Sequence, residues 1–350
     1  MLIKNARLKS GIFDIRIDNG IISDISVFDE PCDIDAEGKR VIPGLIDTHI
    51  HGFGGYDVSD FNLEAISTGL AAVGTTTWFP TTMTDSIDNL EKITNQNIYV
   101  NGANIAGFHM EGPYISKTKK GAQNEKFIKN PDIDEFKRLN NVKIITVAPE
   151  LYGVEEFVEA VDCHVSIGHT DCNYDQAIVA INSGADGLTH TFNAMTPFSH
   201  RDVGPIGAAF EKQIYAELIC DGLHVDKSAV LMLYKLFGSE KIILISDCIR
   251  PAGLPNGKYL SGGIEVTMSD GVLTLYNGVL AGGSKPLLEC VKTAVEFGID
   301  FYEAVKMASE TPAKRFGLNK GKIEQGYDAD IVILNDDFTV SSVIIGGVIY

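Results

Sequence analysis

Positive charge is scarce in this chain. It carries 29 Lys and Arg against 47 Asp and Glu, a formal net charge of −18. Nucleic acid and anionic membrane surfaces select an excess of Lys and Arg, so both are excluded as partners. An anionic ligand must then be received by a few well-placed cations or backbone N–H groups. Long apolar runs are missing too: none approaches the roughly 20 residues that span a bilayer. The opening Met1-Leu2-Ile3-Lys4-Asn5-Ala6-Arg7 lacks the basic and then apolar regions of a signal peptide. The six cysteines (Cys32, Cys163, Cys172, Cys220, Cys248 and Cys290) form no Cys-x-x-Cys pair and no regular spacing. They read as small hydrophobes in a reducing compartment. A cytoplasmic location is the expectation by default. No Gly-x-Gly-x-x-Gly turn follows the first strand candidate, which counts against a doubly wound dinucleotide-binding sheet.

What is present is patterned. A length of 350 residues, with 45% apolar and 22% charged side chains, suits one large core and a smaller appendage. Within residues 1–43, Phe13–Ile17 and Ile21–Ile25 flank Asp18-Asn19-Gly20, a hairpin signal. Residues 322–350 behave alike, with Asp330–Leu334 and Val343–Ile345 around Asn335-Asp336-Asp337. Two β-rich ends around a different middle predict one small β-sandwich domain assembled from both termini. Between them, residues 44–321 alternate short β-branched runs with amphipathic segments. The strand candidates are Leu45–Thr48, Thr75–Phe79, Ile105–His109, Lys143–Val147, His164–Ile167, Gly187–Thr189, Tyr215–Ile219 and Lys241–Ile245. Helical stretches such as Leu63–Val73, Ile87–Val100, Tyr174–Ser183 and Lys227–Phe237 separate them. This βαβ repeat predicts an α/β fold, a (β/α)8 TIM barrel. Residues 251–280, rich in glycine and turn residues, read as a loop insertion over the barrel mouth.

Barrel active sites form at the C-terminal ends of the strands. Strand one ends in Asp47-Thr48-His49-Ile50-His51, strand three in His109-Met110-Glu111-Gly112-Pro113 and strand five in Gly168-His169-Thr170. Strand six ends in His190-Thr191-Phe192-Asn193, strand seven leads to Asp221-Gly222-Leu223-His224, and strand eight ends in Ser246-Asp247. His49 and His51, two apart in an extended segment, point to one side and can share one metal ion. A lone His-x-His is weak evidence, and its force here comes from coincidence. Of eight His, five (His49, His51, His169, His190 and His224) fall just after strand candidates, as do Glu111 and Asp247. Imidazole plus carboxylate is the ligand set of hydrolytic zinc and ferrous sites. The other His have blander readings. His109 faces away from the site if Glu111 lies beyond the strand end, His164 begins a strand at the wrong end of the barrel, and His200 sits in a loop.

A divalent cation lowers the pKa of a bound water from about 15.7 to roughly 7. Asp247 can orient that water, accept its proton and return it to a departing amine. Arg201 offers a planar fork suited to phosphate, its bland alternative being a surface ion pair.

Ile42-Pro43-Gly44 followed by Asp47–Gly52, and later Gly321–Asp330, resemble the opening and closing segments of the amidohydrolase superfamily. His109–Pro113, Ala148-Pro149-Glu150, Gly168–Thr170, Thr189–Met195, Asp221–Val225, Ser246-Asp247 and Leu280–Ser284 resemble, in that order, its N-acetylglucosamine-6-phosphate deacetylase family. The resemblance spans essentially the whole chain. It implies hydrolysis of the acetamide of a phosphorylated amino sugar, one or two divalent ions (Zn2+ or Fe2+), and a homodimer. It also implies that Glu111, His169 and His190 hold the principal ion, and that His49 and His51 hold a second with Glu111 bridging. Asp247 is then general base and acid, and His224 contacts the sugar or the acetyl carbonyl. Asn193, the Ala194 backbone and Arg201 receive the 6-phosphate. Where some members carry a His, this chain has Gln123, which can donate a hydrogen bond to the carbonyl but not a proton.

Two other readings compete. Dihydroorotases, dipeptidases and N-acyl-amino-acid deacylases share the superfamily, but many use a carboxylated Lys as bridge, and Glu111 takes that place here. A non-catalytic barrel would be expected to have lost Asp247 or a ligand, and none is missing.

Overall fold

The computed structural model describes residues 1–350. Eight parallel strands form the barrel: β1 (Leu45–Ile50), β2 (Thr75–Thr82), β3 (Phe108–Glu111), β4 (Val142–Val147), β5 (His164–Ile167), β6 (Gly187–Leu188), β7 (Tyr215–Ile219) and β8 (Ile242–Ile245). β1 pairs with β2, and the ladder then runs in chain order to β8. The seam from β8 back to β1 closes at the upper rim. There the Asp247 N–H donates to the His49 carbonyl at 3.0 Å and the His51 N–H to the Cys248 carbonyl at 2.8 Å. Lower down, the buried Asp47 carboxylate accepts the Ser246 N–H at 3.3 Å and the His49 N–H at 3.4 Å, replacing a regular ladder.

Helices cover the outside because each strand presents alternate residues to them. On β7, Ala216 and Leu218 join the large core between strands and helices, while Ile219 packs with Ile243 and Ile245. The expected barrel is therefore present, with three local differences. Gly107, at φ +142°, splits the third candidate into Asn104–Ile105 and β3. A Cβ there would meet Lys143 Cγ at 2.2 Å and the Asn141 carbonyl oxygen at 2.9 Å. Glu111 is consequently the last residue of β3, and His109, two before it, shares its inward face rather than the opposite one. The helix expected over 87–100 ends at Thr94. There Gln96 Nε2 donates to the Ile93 carbonyl at 3.2 Å, one of the end carbonyls that a further turn would have used.

The third difference lies over the mouth. Residues 257–274 fold as a three-stranded antiparallel sheet (Gly257–Ser261, Ile264–Ser269, Val272–Thr274). Its turns, Gly262-Gly263 and Asp270-Gly271, have positive φ at both residues, as two-residue hairpins with type I′ geometry require. Asp57 pins this sheet down. Its carboxylate accepts Ser261 Oγ at 2.8 Å, the Gly262 N–H at 3.0 Å and Arg250 Nη2 at 2.7 Å, tying the loops after β1 and β8 to the hairpin.

Strands from residues 2–43 and 331–349 form a second, mostly antiparallel eight-stranded sheet. It closes over a buried cluster drawn from both ends of the chain, including Ile3, Ile15, Ile22, Val41, Ile331 and Ile344. All six cysteines are unpaired and four are buried. No helix is long and apolar enough to cross a membrane.

Candidate metal centre

Four imidazoles and two acids meet at the C-terminal rim. Glu111 Oε1 lies 2.9 Å from His190 Nε2, 3.1 Å from His169 Nε2 and 3.3 Å from His49 Nε2. Glu111 Oε2 lies 3.3 Å from His51 Nε2. His49 Nε2 is 3.3 Å from His51 Nε2, and His190 Nε2 is 3.1 Å from His169 Nε2. Asp247 Oδ1 stands 3.4 Å from His51 Nε2 and 3.5 Å from His49 Nε2. All six side chains are buried.

The tautomers show what this cluster is built to hold. His49 Nδ1 faces Glu217 Oε2 at 3.2 Å, His51 Nδ1 faces the Thr81 carbonyl at 3.2 Å, and His169 Nδ1 faces the Lys119 carbonyl at 2.8 Å. Each partner accepts, so each Nδ1 carries the proton and each Nε2 presents a lone pair. Lone pairs aimed at one another and at a carboxylate repel unless a cation stands among them. The donor set therefore fits a divalent ion in each of two groups, Glu111-His169-His190 and His49-His51-Glu111.

Electrostatics agree. Burial alone would lower the pKa values of His49 and His51. Glu111, Asp247 and, for His49, Glu217 reverse that, raising His49 well above its ordinary value and His51 to about 9. Burial would raise Asp247, but His51 and His49 hold it down to about 2. The surrounding acids thus draw positive charge to these Nε2 positions, which either protons or a bound cation can supply. By contrast, burial and then the charge of His49 push His109 down to about 3. Its ring nitrogens are spent on the Thr48 carbonyl at 3.0 Å and Thr146 Oγ1 at 2.8 Å, a structural role.

Local backbone aims these groups. His169, His190 and Asp247 adopt φ of +46°, +29° and +50°. Such positions cost on the order of 1–3 kcal/mol each in non-glycine residues and persist only where the surroundings enforce them. Here they turn each side chain from its strand end over the barrel axis.

A cavity of about 650 Å³ opens above the cluster, lined on the polar side by Asp247, His224, Asn193, Ala194 and Gln123. His224 Nδ1 bonds Asp221 Oδ2 at 2.7 Å. Gln123 is placed differently from the sequence expectation. Its Nε2 donates to Glu111 Oε2, and its Oε1 accepts the Thr84 N–H at 2.6 Å, so the amide is engaged with the carboxylate rather than free for a carbonyl. Arg201 is not brought in. It is exposed, outside this cavity, beside Asn173, Tyr174 and Asp175. His164 sits at the far end of the barrel against Asp186. Sequence reasoning missed Glu217, and the available signal was an acid in the otherwise apolar run Tyr215–Ile219.

Fold and centre together define a metal-dependent hydrolase. The amidohydrolase family model matches residues 40–350, and the chain belongs to that family. More particularly, it is 36% identical to the N-acetylglucosamine-6-phosphate deacetylase of Lysinibacillus sphaericus, over 90% of this chain and 86% of that one. It is 32% identical to the N-acetylgalactosamine-6-phosphate deacetylase of Escherichia coli O157:H7, over 95% and 93%. The N-acetyl-D-glucosamine-6-phosphate deacetylase of Mycobacterium smegmatis, solved as a mutant in complex with N-acetyl-D-glucosamine-6-phosphate, superposes with a TM-score of 0.94. That match has 27% identity and covers 100% of this chain and 98% of that one.

Proposed function

We propose that the protein hydrolyses N-acetyl-D-glucosamine 6-phosphate to D-glucosamine 6-phosphate and acetate. One observation carries this reading: Glu111 and four imidazole nitrogens converge beside Asp247, at the floor of a cavity roomy enough for a hexose phosphate. The likeness to sugar-phosphate deacetylases over nearly the whole chain selects the substrate.

In this reading Glu111, His169 and His190 would hold the principal ion, and His49 and His51, together with Glu111, would hold a second. Zinc or ferrous iron suits these donors. When bound, such a cation makes a water acidic enough to lose its proton near neutral pH and polarises an amide carbonyl. Asp247, ionised by its histidine neighbours, takes the proton of the attacking water. It then returns that proton to the nitrogen as the C–N bond breaks, because a neutral amine leaves far more readily than an amide anion. His224, oriented by Asp221, faces the sugar or the acetyl oxygen. Asn193 and the Ala194 N–H receive phosphate. Gln123 steadies the Glu111 carboxylate.

Arg201 lies outside its own cavity, and in the homodimer that the family resemblance implies it would serve the partner's cavity. The catalytic domain is taken as residues 44–321 and the β domain as 1–43 with 322–350. Six unpaired thiols are in keeping with a reducing, cytoplasmic setting.

The test is acetate release from N-acetylglucosamine 6-phosphate, from the unphosphorylated sugar, and from N-acetylgalactosamine 6-phosphate. Rapid release from the first alone is expected. Equal turnover of the plain sugar would remove the phosphate assignment, and preference for the galacto epimer would move the substrate to that of the Escherichia coli relative. Hydrolysis of N-acyl-amino acids or dihydroorotate in place of all three would favour the other amidohydrolase chemistries.

A further inference from the structure

Glu217 is a fully buried acid inside the barrel. It lies on β7 with no exposed surface, its chain neighbours Ala216 and Leu218 belonging to the apolar core. Its carboxylate has two hydrogen-bond partners: Thr48 Oγ1 donates to Oε1 at 3.0 Å, and His49 Nδ1 lies 3.2 Å from Oε2. No lysine or arginine pairs with it. A buried, unpaired carboxylate is costly, and a neutral imidazole does not discharge it. Arg315, also buried, adds longer-range positive charge, and on the far side of the His49 ring Nε2 faces His51 Nε2 and Glu111 Oε1, each at 3.3 Å, where a cation would compensate the charge through the ring.

The backing of the four histidines is unequal. His51 and His169 donate from Nδ1 to neutral carbonyls, and His190 Nδ1 has no partner. Only His49 is backed by an acid. A carboxylate behind a ligating imidazole fixes its tautomer and raises its basicity, and loss of such a partner typically weakens metal binding about 10–100-fold.

We propose that Glu217 is the positioning residue of the second ion site: it holds His49 with Nε2 toward the His49-His51-Glu111 group and supplies the negative charge that makes this half of the centre bind a cation. It does so without touching substrate, and it leaves the Glu111-His169-His190 half to its own ligands. The inference rests on the metal-centre reading above, but not on the identity of the sugar.

The test is calorimetric titration of chelator-stripped, full-length protein with Zn2+, together with metal content as purified, for wild type and Glu217→Gln. Wild type should show two binding events. Glu217→Gln should weaken one of them about 10–100-fold, hold nearly one ion fewer as purified, and leave the other event within twofold. Unchanged affinity for both ions in a folded Glu217→Gln protein overturns the proposal, as does a wild type that takes up a single ion. If Glu217→Gln does not fold, Thr48→Val removes only the hydroxyl that orients Oε1. It should weaken the same event several-fold, and no weakening there overturns the proposal too. Metal uptake is read without substrate, so a failed acetate assay leaves this result intact and a failed titration leaves the substrate assignment intact.

Discussion

Asp247 Oδ1 lies 3.4 Å from Nε2 of His51, with the aspartate backbone held at φ +50°. An acid so placed is ionised at neutral pH and borders the metal group without belonging to either triad of donors. Asp247→Asn keeps the shape and removes the proton acceptor. Turnover is expected to fall about 10²–10⁴-fold, with KM and bound metal little changed. Steady-state kinetics paired with elemental analysis checks this, and an Asn variant with wild-type kcat would end the proton-transfer role.

Arg201 predicts a complementation. If its guanidinium enters the partner's cavity, Arg201→Ala should raise KM for the phosphorylated sugar and leave the weak turnover of the plain sugar unchanged. Mixing Arg201→Ala chains with Asp247→Asn chains, unfolding and refolding them together, should then restore activity. In a two-fold dimer assembled at random, about a quarter of the sites would be complete. No recovery, from a mixture shown to contain heterodimers, would place Arg201 outside the reaction.

Chelation should destabilise the fold as well as stop turnover. Stripping the cation leaves Glu111, Asp247 and Glu217 buried together with opposed imidazole lone pairs. At free ion 1,000-fold above Kd, linkage is worth about 4.1 kcal/mol. The thermal midpoint should drop by several degrees in EDTA and return on adding Zn2+. A midpoint indifferent to chelation, in protein verified to be metal-free, would contradict the donor geometry.

At the opposite end of the barrel, Asp186 binds Arg315 Nη2 at 2.8 Å and His164 Nδ1 at 2.6 Å, and Arg315 is buried. Burial would raise the Asp186 pKa, but Arg315 and His164 hold it well below the usual carboxylate range. A depressed folded-state pKa stabilises above the unfolded value, about 3.9 for Asp, and that stabilisation drains away as pH falls below it. Denaturant melts should therefore show an acid limb below about pH 4 that Asp186→Asn flattens. The same change should cost about 2–3 kcal/mol at pH 7, less than a fully buried pair would, because the carboxylate is partly open to water. Equal acid limbs in the two proteins would show that the trio does not govern acid stability.

Much of this molecule could be read from its residues. The βαβ rhythm located all eight barrel strands, and six of the chemically committed side chains stood just where those strands end. Residues 251–280 read as a loop, and their partial folding into a sheet turns on backbone φ values at Gly262-Gly263 and Asp270-Gly271 that only the structure displays. Glu217 was not readable as a partner of His49. In Tyr215–Ile219 both strand faces are buried, so periodicity does not say which parity points inward. The bonding of Gln123 to Glu111 and the place of Arg201 outside its own cavity were unreadable for a different reason: sequence proximity to the motifs of the site does not report where a loop carries its side chain.

By itself the sequence determined the ring of strands and which side chains could serve as metal donors, since strand propensity, turn chemistry and the choice of His, Glu or Asp are local properties carried residue by residue. Only the tertiary structure decided which nitrogen of each imidazole faces inward, that a buried acid stands behind His49, and that Arg201 points away from its own cavity. Those are distances between segments up to 169 residues apart, and barrel closure alone sets them.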